Sequence, residues 1–270
     1  MRIYFASDIH LGAPTVGNRR LQEKRFVNWL NSIRNQADAI YLLGDIFDYW
    51  FEYKSVVPRG YVRLLAKLCE LQESGVEIHI FTGNHDVWMF SYLQEECGLI
   101  VHNEPYETTF YGKRFLIAHG DGLGGYDKGY SILKWIFRCR PIQIIYSWLH
   151  PDIANFIATT WSALSRKSHK NKSYQHSFMG EEKELQIRYV KALEESQAGK
   201  VHDFYIFGHR HIIADFHTKY GAHVDIIGDW LFNFTYAMFD GNEVRIFAVN
   251  PDNVAESKDI TEEKRYEQYQ

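Results

Sequence analysis

The 270-residue chain has no apolar run long enough to cross a membrane. Its best candidate, residues 142–164, is broken by His150, Pro151 and Asp152. Cysteine is scarce: Cys69, Cys97 and Cys139 are odd in number, widely spaced and form no CxxC pair. That argues against a disulfide framework and against a thiolate metal site, and a reducing compartment fits best. No signal peptide is read ahead of Asp8 and His10, so a cytoplasmic location is expected. An excess of basic charge is also missing. With a formal net charge of −4 the chain as a whole does not describe a nucleic-acid binder, and no nucleic-acid partner is expected. There is no internal repeat and no low-complexity tract.

What is present is an ordinary globular composition, 46% hydrophobic and 24% charged, in a length suited to one large domain or one domain with an insertion. Aromatic residues reach 16%, which suggests more apolar contact surface than a minimal core needs. Thirteen histidines are the more informative count, since imidazole is the commonest metal ligand and the usual acid or base near neutral pH.

Hydrophobic periodicity predicts strands at residues 2–7, 39–43 and 77–82, alternating with helices at 21–35 and 61–74. The second helix has Val62, Leu65, Leu68 and Leu71 at core spacing, and Gly75 stops it. This order implies a parallel sheet covered by helices. In the second half, residues 108–111 and 114–118 flank a Gly112-Lys113 hairpin. Five more strands follow, at 204–207, 212–217, 224–227, 232–239 and 244–249, with Asp240-Gly241 as a hairpin turn. They suggest a second, more antiparallel sheet packed on the first. The tail, residues 251–270, is polar and charged and is expected to be loosely held. Between the halves, residues 124–176 read as a helical insertion. It carries eight Lys or Arg against two acids, a net +6, which leaves −10 on the rest of the chain.

Five short motifs each begin where a strand ends: Asp8-Ile9-His10, Gly44-Asp45-Ile46-Phe47-Asp48, Gly83-Asn84-His85-Asp86, His119-Gly120-Asp121 and Gly208-His209-Arg210-His211. In open α/β sheets that edge is where ligands bind. Asp, Asn and His supply oxygen and nitrogen ligands suited to Mn, Fe, Zn or Mg. Asp8, His10, Asp45, Asn84, His119, His209 and His211 are too many for one small cation with an open position. They suit two cations sharing a bridging carboxylate, a standard clamp for displacement at phosphorus. His85, beside Asn84, is then left over as a candidate general acid for the leaving oxygen. His79, His102, His150, His202, His217 and His223 lie outside the motifs and are read as structural or surface residues.

These motifs, in this order, resemble the calcineurin-like metallophosphoesterase superfamily over nearly the whole chain. The resemblance implies a four-layer αββα two-sheet sandwich, with residues 1–250 as the phosphoesterase domain and a helical cap near 124–176. It implies Asp8, His10, Asp45 and His211 on one metal, and Asp45, Asn84, His119 and His209 on the other, with Mn²⁺ the expected ion. Within the superfamily the chain is similar to the UDP-2,3-diacylglucosamine hydrolases of lipid A synthesis. That likeness rests on chain size, on His119-Gly120-Asp121-Gly122-Leu123 leading to Asp127-x-Gly129-Tyr130, and on the spacing of Ser165, His169 and Lys172. It implies substrate contacts at Asn84, His85, Asp127, Tyr130, Ser165, His169, Lys172 and His209, a nucleotide-linked lipid as substrate, and a peripheral position on the cytoplasmic face of a bacterial inner membrane. One departure is that the best-known lipid A hydrolases carry Arg where this chain has His85. A soluble phosphoesterase for a nucleotide, a phosphoprotein or another phosphodiester, and a non-catalytic binding protein on the same fold, stay open on the residues alone.

Overall fold

The structure is a computed structural model that describes residues 2–14, 17–125, 128–170 and 177–267, without the side chains of 128, 163–170 and 267. In chain order the elements are β1 (Ile3–Ala6), α1 (Arg19–Ile33), β2 (Ala39–Leu42), α2 (Val62–Glu73), β3 (Glu77–Phe81), α3 (Tyr92–Cys97), β4 (Ile100–His102), β5 (Tyr106–Phe110) and β6 (Lys113–Ala118). Then come α4 (Lys128–Arg138), α5 (Arg140–Ser147), α6 (Pro151–Lys170), α7 (Leu185–Ser196), β7 (Phe204–Phe207), β8 (Ile213–His217) and β9 (His223–Ile227). The chain continues through β10 (Thr235–Phe239), β11 (Val244–Asn250), β12 (Asn253–Asp259) and β13 (Arg265–Glu267). Among the described residues no helix is long and apolar enough to cross a membrane.

The strands form a seven-stranded sheet, ordered β12-β11-β10-β1-β2-β3-β4, and a six-stranded one, ordered β13-β8-β9-β7-β6-β5. Strand alternation assigns their faces. From β1, Ile3 and Phe5 meet Phe115, Ile117, Phe204 and Ile206 of the other sheet in a shared apolar core. Tyr4 and Ala6 point the other way, onto Phe26, Trp29 and Leu30 of α1 and Leu64, Leu68 and Leu71 of α2. On the far side, Leu116, Tyr205 and Phe207 carry α7 through Ile187 and Val190. The result is helix, sheet, sheet, helix, the four layers the resemblance implies.

Several expectations need correction. The C-terminal strands do not all build the second sheet. β10, β11 and β12 extend the first sheet through the antiparallel β1–β10 pair, and the second sheet is mixed, with β6, β7 and β9 parallel. Hydrophobic alternation marks strands but not their partners. The tail is not loose: β12 pairs along β11 and β13 pairs with β8, so one polar segment edges both sheets. An edge strand needs only one apolar face, and its polar sequence hid it. In α2 the buried face is Leu64, Leu68 and Leu71, and Val62 is exposed. Cys69 and Cys97 form a disulfide between α2 and α3. Their 28-residue separation gave no hint that two packed helices bring them together.

Candidate metal centre

β1, β2 and β3 run parallel in one sheet, and β6 and β7 run parallel in the other. All five end at one edge of the sandwich, and each hands its motif to that edge. The loops are stapled to one another by their backbones: Asp8 N donates to Gly44 O (3.1 Å), His10 N to Asp45 O (2.9 Å) and Gly208 N to His119 O (3.0 Å). Five candidate ligands turn inward through left-handed backbone, with φ of 55° at Asp8, 46° at His10, 51° at Asp45, 67° at His209 and 53° at His211. Such conformations cost about 1–3 kcal/mol each and cluster where function requires them. Gly83 lets the two loops close: a Cβ there would stand 2.2 Å from Asp45 Oδ1.

The seven side chains form two abutting groups. In one, Asp8 Oδ1 lies 3.3 Å from His211 Nε2, and His10 Nε2 lies 3.3 Å from His211 Nε2 and 3.6 Å from Asp45 Oδ2. In the other, His119 Nε2 lies 3.5 Å from Asp45 Oδ2, 3.3 Å from Asn84 Oδ1 and 3.3 Å from His209 Nδ1. Asp45 Oδ2 belongs to both, while its Oδ1 accepts the His85 N–H at 2.8 Å.

The partners of these groups fix which atoms face inward. His119 Nδ1 is 2.6 Å from Leu43 O, and a carbonyl only accepts, so Nδ1 keeps its proton and Nε2 is the nitrogen that can be given to a cation. His10 Nδ1 against Asp48 Oδ1 (3.3 Å) and His211 Nδ1 against Asp229 Oδ2 (3.2 Å) impose the same tautomer. Asp8 Oδ2 accepts from Ser7 Oγ (2.6 Å) and His209 N (2.8 Å), yet its other oxygen, fully buried, has no hydrogen-bond partner. A buried acceptor left bare costs about 1–3 kcal/mol. A cation between Asp8, His10 and His211 would satisfy it, and the donor set fits a divalent ion on each side of Asp45.

Charge in the site points the same way. Burial favours neutral His10, but Asp48, Asp8 and Asp45 outweigh it and hold its pKa up to about 10. His119 is likewise lowered by burial, yet raised to about 10 by Asp45, Asp8 and Asp121. His209 goes the other way: burial and then His119 bring it down to about 4. At neutral pH without metal, His10 and His119 therefore hold protons that a cation must displace, and His209 does not. Metal uptake at pH 7 should release protons, and apparent affinity should rise with pH. Calorimetry in buffers of unequal ionisation enthalpy reads the proton count, and a count of zero would contradict this charge assignment.

Residues outside the motifs hold the motifs still. Arg210, between His209 and His211, is gripped by the buried Glu184 at 2.7 and 3.0 Å, and Gln186 Nε2 donates to Gly208 O at 2.9 Å. Both anchors sit at the start of α7, a helix the sequence reading did not assign. Asp229 accepts backbone N–H bonds from Leu231 (2.8 Å), Phe232 (2.6 Å) and Asn233 (3.1 Å) while orienting His211. No motif marks it.

From the metal centre a cavity of about 450 Å³ runs beneath α4 and α6. Asn84, His85, Tyr130 and His209 line it near the centre, and Trp88, Leu133, Phe137, Ile157 and Trp161 line its far walls. The cap helices rest on the domain through Tyr49, Phe51 and Trp88, against Phe137, Tyr146 and Ala158. Trp88 Nε1 donates to Phe137 O at 2.8 Å. His85 Nδ1 lies 3.2 Å from both Asp48 O and Ser162 Oγ, so α6 touches the candidate acid through a serine not foreseen. Tyr130 OH donates to Asp121 Oδ2 at 2.6 Å. Of the other expected substrate contacts, Asp127 and Lys172, and the side chains of Ser165 and His169, lie outside the described residues.

Comparison with known proteins gives a consistent result. The sequence model of the calcineurin-like phosphoesterases matches residues 1–213. A UDP-2,3-diacylglucosamine hydrolase of Porphyromonas gingivalis is 40% identical over 249 residues, 89% of this chain and 94% of that one. Enzymes of the same name from Photorhabdus laumondii (32% identical, 63% of this chain and 68% of that one) and Shewanella pealeana (27%, 85% and 90%) are also similar.

Proposed function

Because the chain belongs to the calcineurin-like phosphoesterase family, we propose that it is a metal-dependent hydrolase that cleaves the pyrophosphate of UDP-2,3-diacylglucosamine to UMP and 2,3-diacylglucosamine 1-phosphate. The observation that carries this reading is the apolar cavity that starts at Asn84, His85 and His209 and ends under the cap. A site for a free nucleotide or a phosphoprotein has no use for walls of Leu133, Phe137, Ile157 and Trp161, whereas acyl chains do.

Asp8, His10, Asp45 and His211 would hold one divalent cation, and Asp45, Asn84, His119 and His209 the other, with Mn²⁺ the expected ion. When bound, such a pair lowers the pKa of a water and neutralises charge at phosphorus. The chain's own contribution is orientation. Asp48, Leu43 and Asp229 hold the three imidazoles in the ligating tautomer. His85, braced by Asp48 O and Ser162 Oγ, is positioned on the cavity wall to give a proton to the leaving phosphate oxygen. Tyr130 lines the same wall. Ser165, His169, Lys172 and Asp127 complete the proposed substrate contacts.

The outer face of the cap supports peripheral attachment to a membrane. Trp148 is 86% exposed, Ile145 70%, Phe156 69% and Trp135 67%, in an insertion of net charge +6. Interfacial Trp and Phe beside Lys and Arg are the residue types that settle on anionic bilayers.

The deciding assay loads purified protein with Mn²⁺ and measures UMP release from UDP-2,3-diacylglucosamine beside turnover of bis-p-nitrophenyl phosphate. Preference for the lipid is expected, and rapid diester turnover with no UMP would replace this reading with that of a soluble phosphodiesterase. For the membrane contact, co-sedimentation with phosphatidylglycerol vesicles should be lost in Trp148→Ser/Phe156→Ser. Equal sedimentation of both proteins would remove the cap from that role.

A further inference from the structure

Asp215-Phe216-His217 on β8 and His223-Val224-Asp225 on β9 are mirror images across an antiparallel pair. Asp215 lies opposite Asp225, and His217 lies opposite His223. Directly opposed residues share a face, and so do residues two apart on a strand, so all four side chains project from one side of the sheet. It is the inner side, because Ile213 and Ile227, next in the same alternation, belong to the core between the sheets. The arrangement is a square of two carboxylates and two imidazoles. It lies four to six residues down β8 from His211, roughly 13–20 Å along extended chain, and the metal centre described above does not use it.

The contacts within the square are close but are not hydrogen bonds. Asp215 Oδ1 lies 2.9 Å from His217 Nε2 and 3.5 Å from His223 Nδ1, yet neither Asp215 Oδ1 nor His217 Nε2 has a hydrogen-bond partner. Both carboxylate oxygens of Asp225, which is only 1% exposed, are also bare. Unbonded buried acceptors are rare, and the bare Asp215 Oδ1 sits against both imidazoles. Arg265 Nε donates to the other oxygen of Asp215 at 3.0 Å, which aims Oδ1 into the square. The ligand atoms of Asp215, His217 and His223 all fall within 4.8 Å of one another. A tetrahedral Zn²⁺ with bonds of about 2.0–2.1 Å needs its donors about 3.4 Å apart, a small adjustment. The half-exposed imidazoles leave an entry path from solvent.

We propose that Asp215, His217 and His223 bind a structural divalent cation of the zinc type, separate from the catalytic pair. The ion ties β8 to β9 and, through Asp215 and Arg265, to the terminal strand β13. It thereby stiffens the strand that begins two residues after His211.

The test uses the whole chain, stripped with chelator, reloaded with ZnCl₂, desalted and measured for zinc per chain. The wild type should hold three equivalents and His217→Gln should hold two. Thermal stabilisation by zinc should be smaller in the variant, while UMP release with the catalytic ions in place is kept. His223→Gln serves if His217→Gln does not fold. Should both fail, Co²⁺ loaded into Asp45→Ala must give the intense visible absorption of a tetrahedral ion. Equal zinc in the wild type and a folded variant, at either two or three equivalents, overturns the proposal, and so does a colourless cobalt form.

Discussion

Asp45→Ala is expected to lose both Mn²⁺ ions together, while His211→Ala loses one. Asp45 Oδ2 is the atom common to the two donor groups, 3.6 Å from His10 Nε2 and 3.5 Å from His119 Nε2. Without it each group keeps three neutral or singly charged donors, and the second group, His119, His209 and Asn84, keeps no carboxylate at all. The damage also spreads to the cap side of the site, since Asp45 Oδ1 accepts the His85 N–H and so helps place the proposed acid. A phosphoryl clamp that loses both cations should lose at least about 10⁴-fold in kcat/KM, roughly 5 kcal/mol of barrier. Manganese per chain and UMP release, measured on the same preparation, check the prediction. Retention of one tightly held Mn²⁺ in Asp45→Ala would show that the two groups do not share this oxygen.

The candidate metal centre was readable as a cluster because each candidate ligand sits in a short motif just past a buried strand, so that local sequence fixes both the residue type and the edge it reaches. All seven converge. The supports were not readable, for a physical reason: they act on side chains and backbone atoms of loops distant in the sequence. Asp48 and Asp86 stand inside two of the motifs, but nothing local says that one carboxylate orients His10 and the other gathers N–H groups from two loops. Glu184, Gln186, Asp229 and Ser162 lie in no motif at all. The fold shows the same division. Parallel β1, β2 and β3 with their covering helices follow from periodicity, since buried strands and amphipathic helices carry their own pattern. The assignment of β10, β11 and β12 to the first sheet, the edge strands within the polar tail and the Cys69–Cys97 pair depend on which surfaces meet, a non-local property. His217 and His223 show the limit most clearly: read singly they are structural or surface histidines, and only the β8–β9 register sets them beside Asp215 and Asp225.

Asp86→Ala should destabilise the protein more than any other single change to the loops of the site, although Asp86 touches no candidate ligand side chain. Its buried carboxylate accepts four backbone N–H groups. Oδ1 takes those of Gly83 (2.8 Å) and Asp45 (3.2 Å), and Oδ2 takes those of Ile46 (2.8 Å) and Phe47 (3.2 Å). These bonds bind the loop after β3 to the loop after β2, which carry Asn84 and Asp45. Burial and then the Asp45 charge push the Asp86 pKa up to about 7, against the pull of the Gly83 and Phe47 N–H groups. A cation beside Asp45 offsets part of that repulsion. Truncation to alanine leaves four buried donors without an acceptor, at about 1–3 kcal/mol each before water enters the gap. A net loss of about 4 kcal/mol lowers Tm by roughly 10 °C in a chain of this size. Asp86→Asn keeps one acceptor oxygen but turns an NH₂ toward donors, so it should fall between the wild type and alanine. Because the loops come apart at Asp45 and Asn84, Mn²⁺ affinity should drop with stability in the same order. Thermal unfolding with and without Mn²⁺ separates the effects. If Asp86→Ala melts within about 2 °C of the wild type in both conditions, the carboxylate is not what joins the two loops.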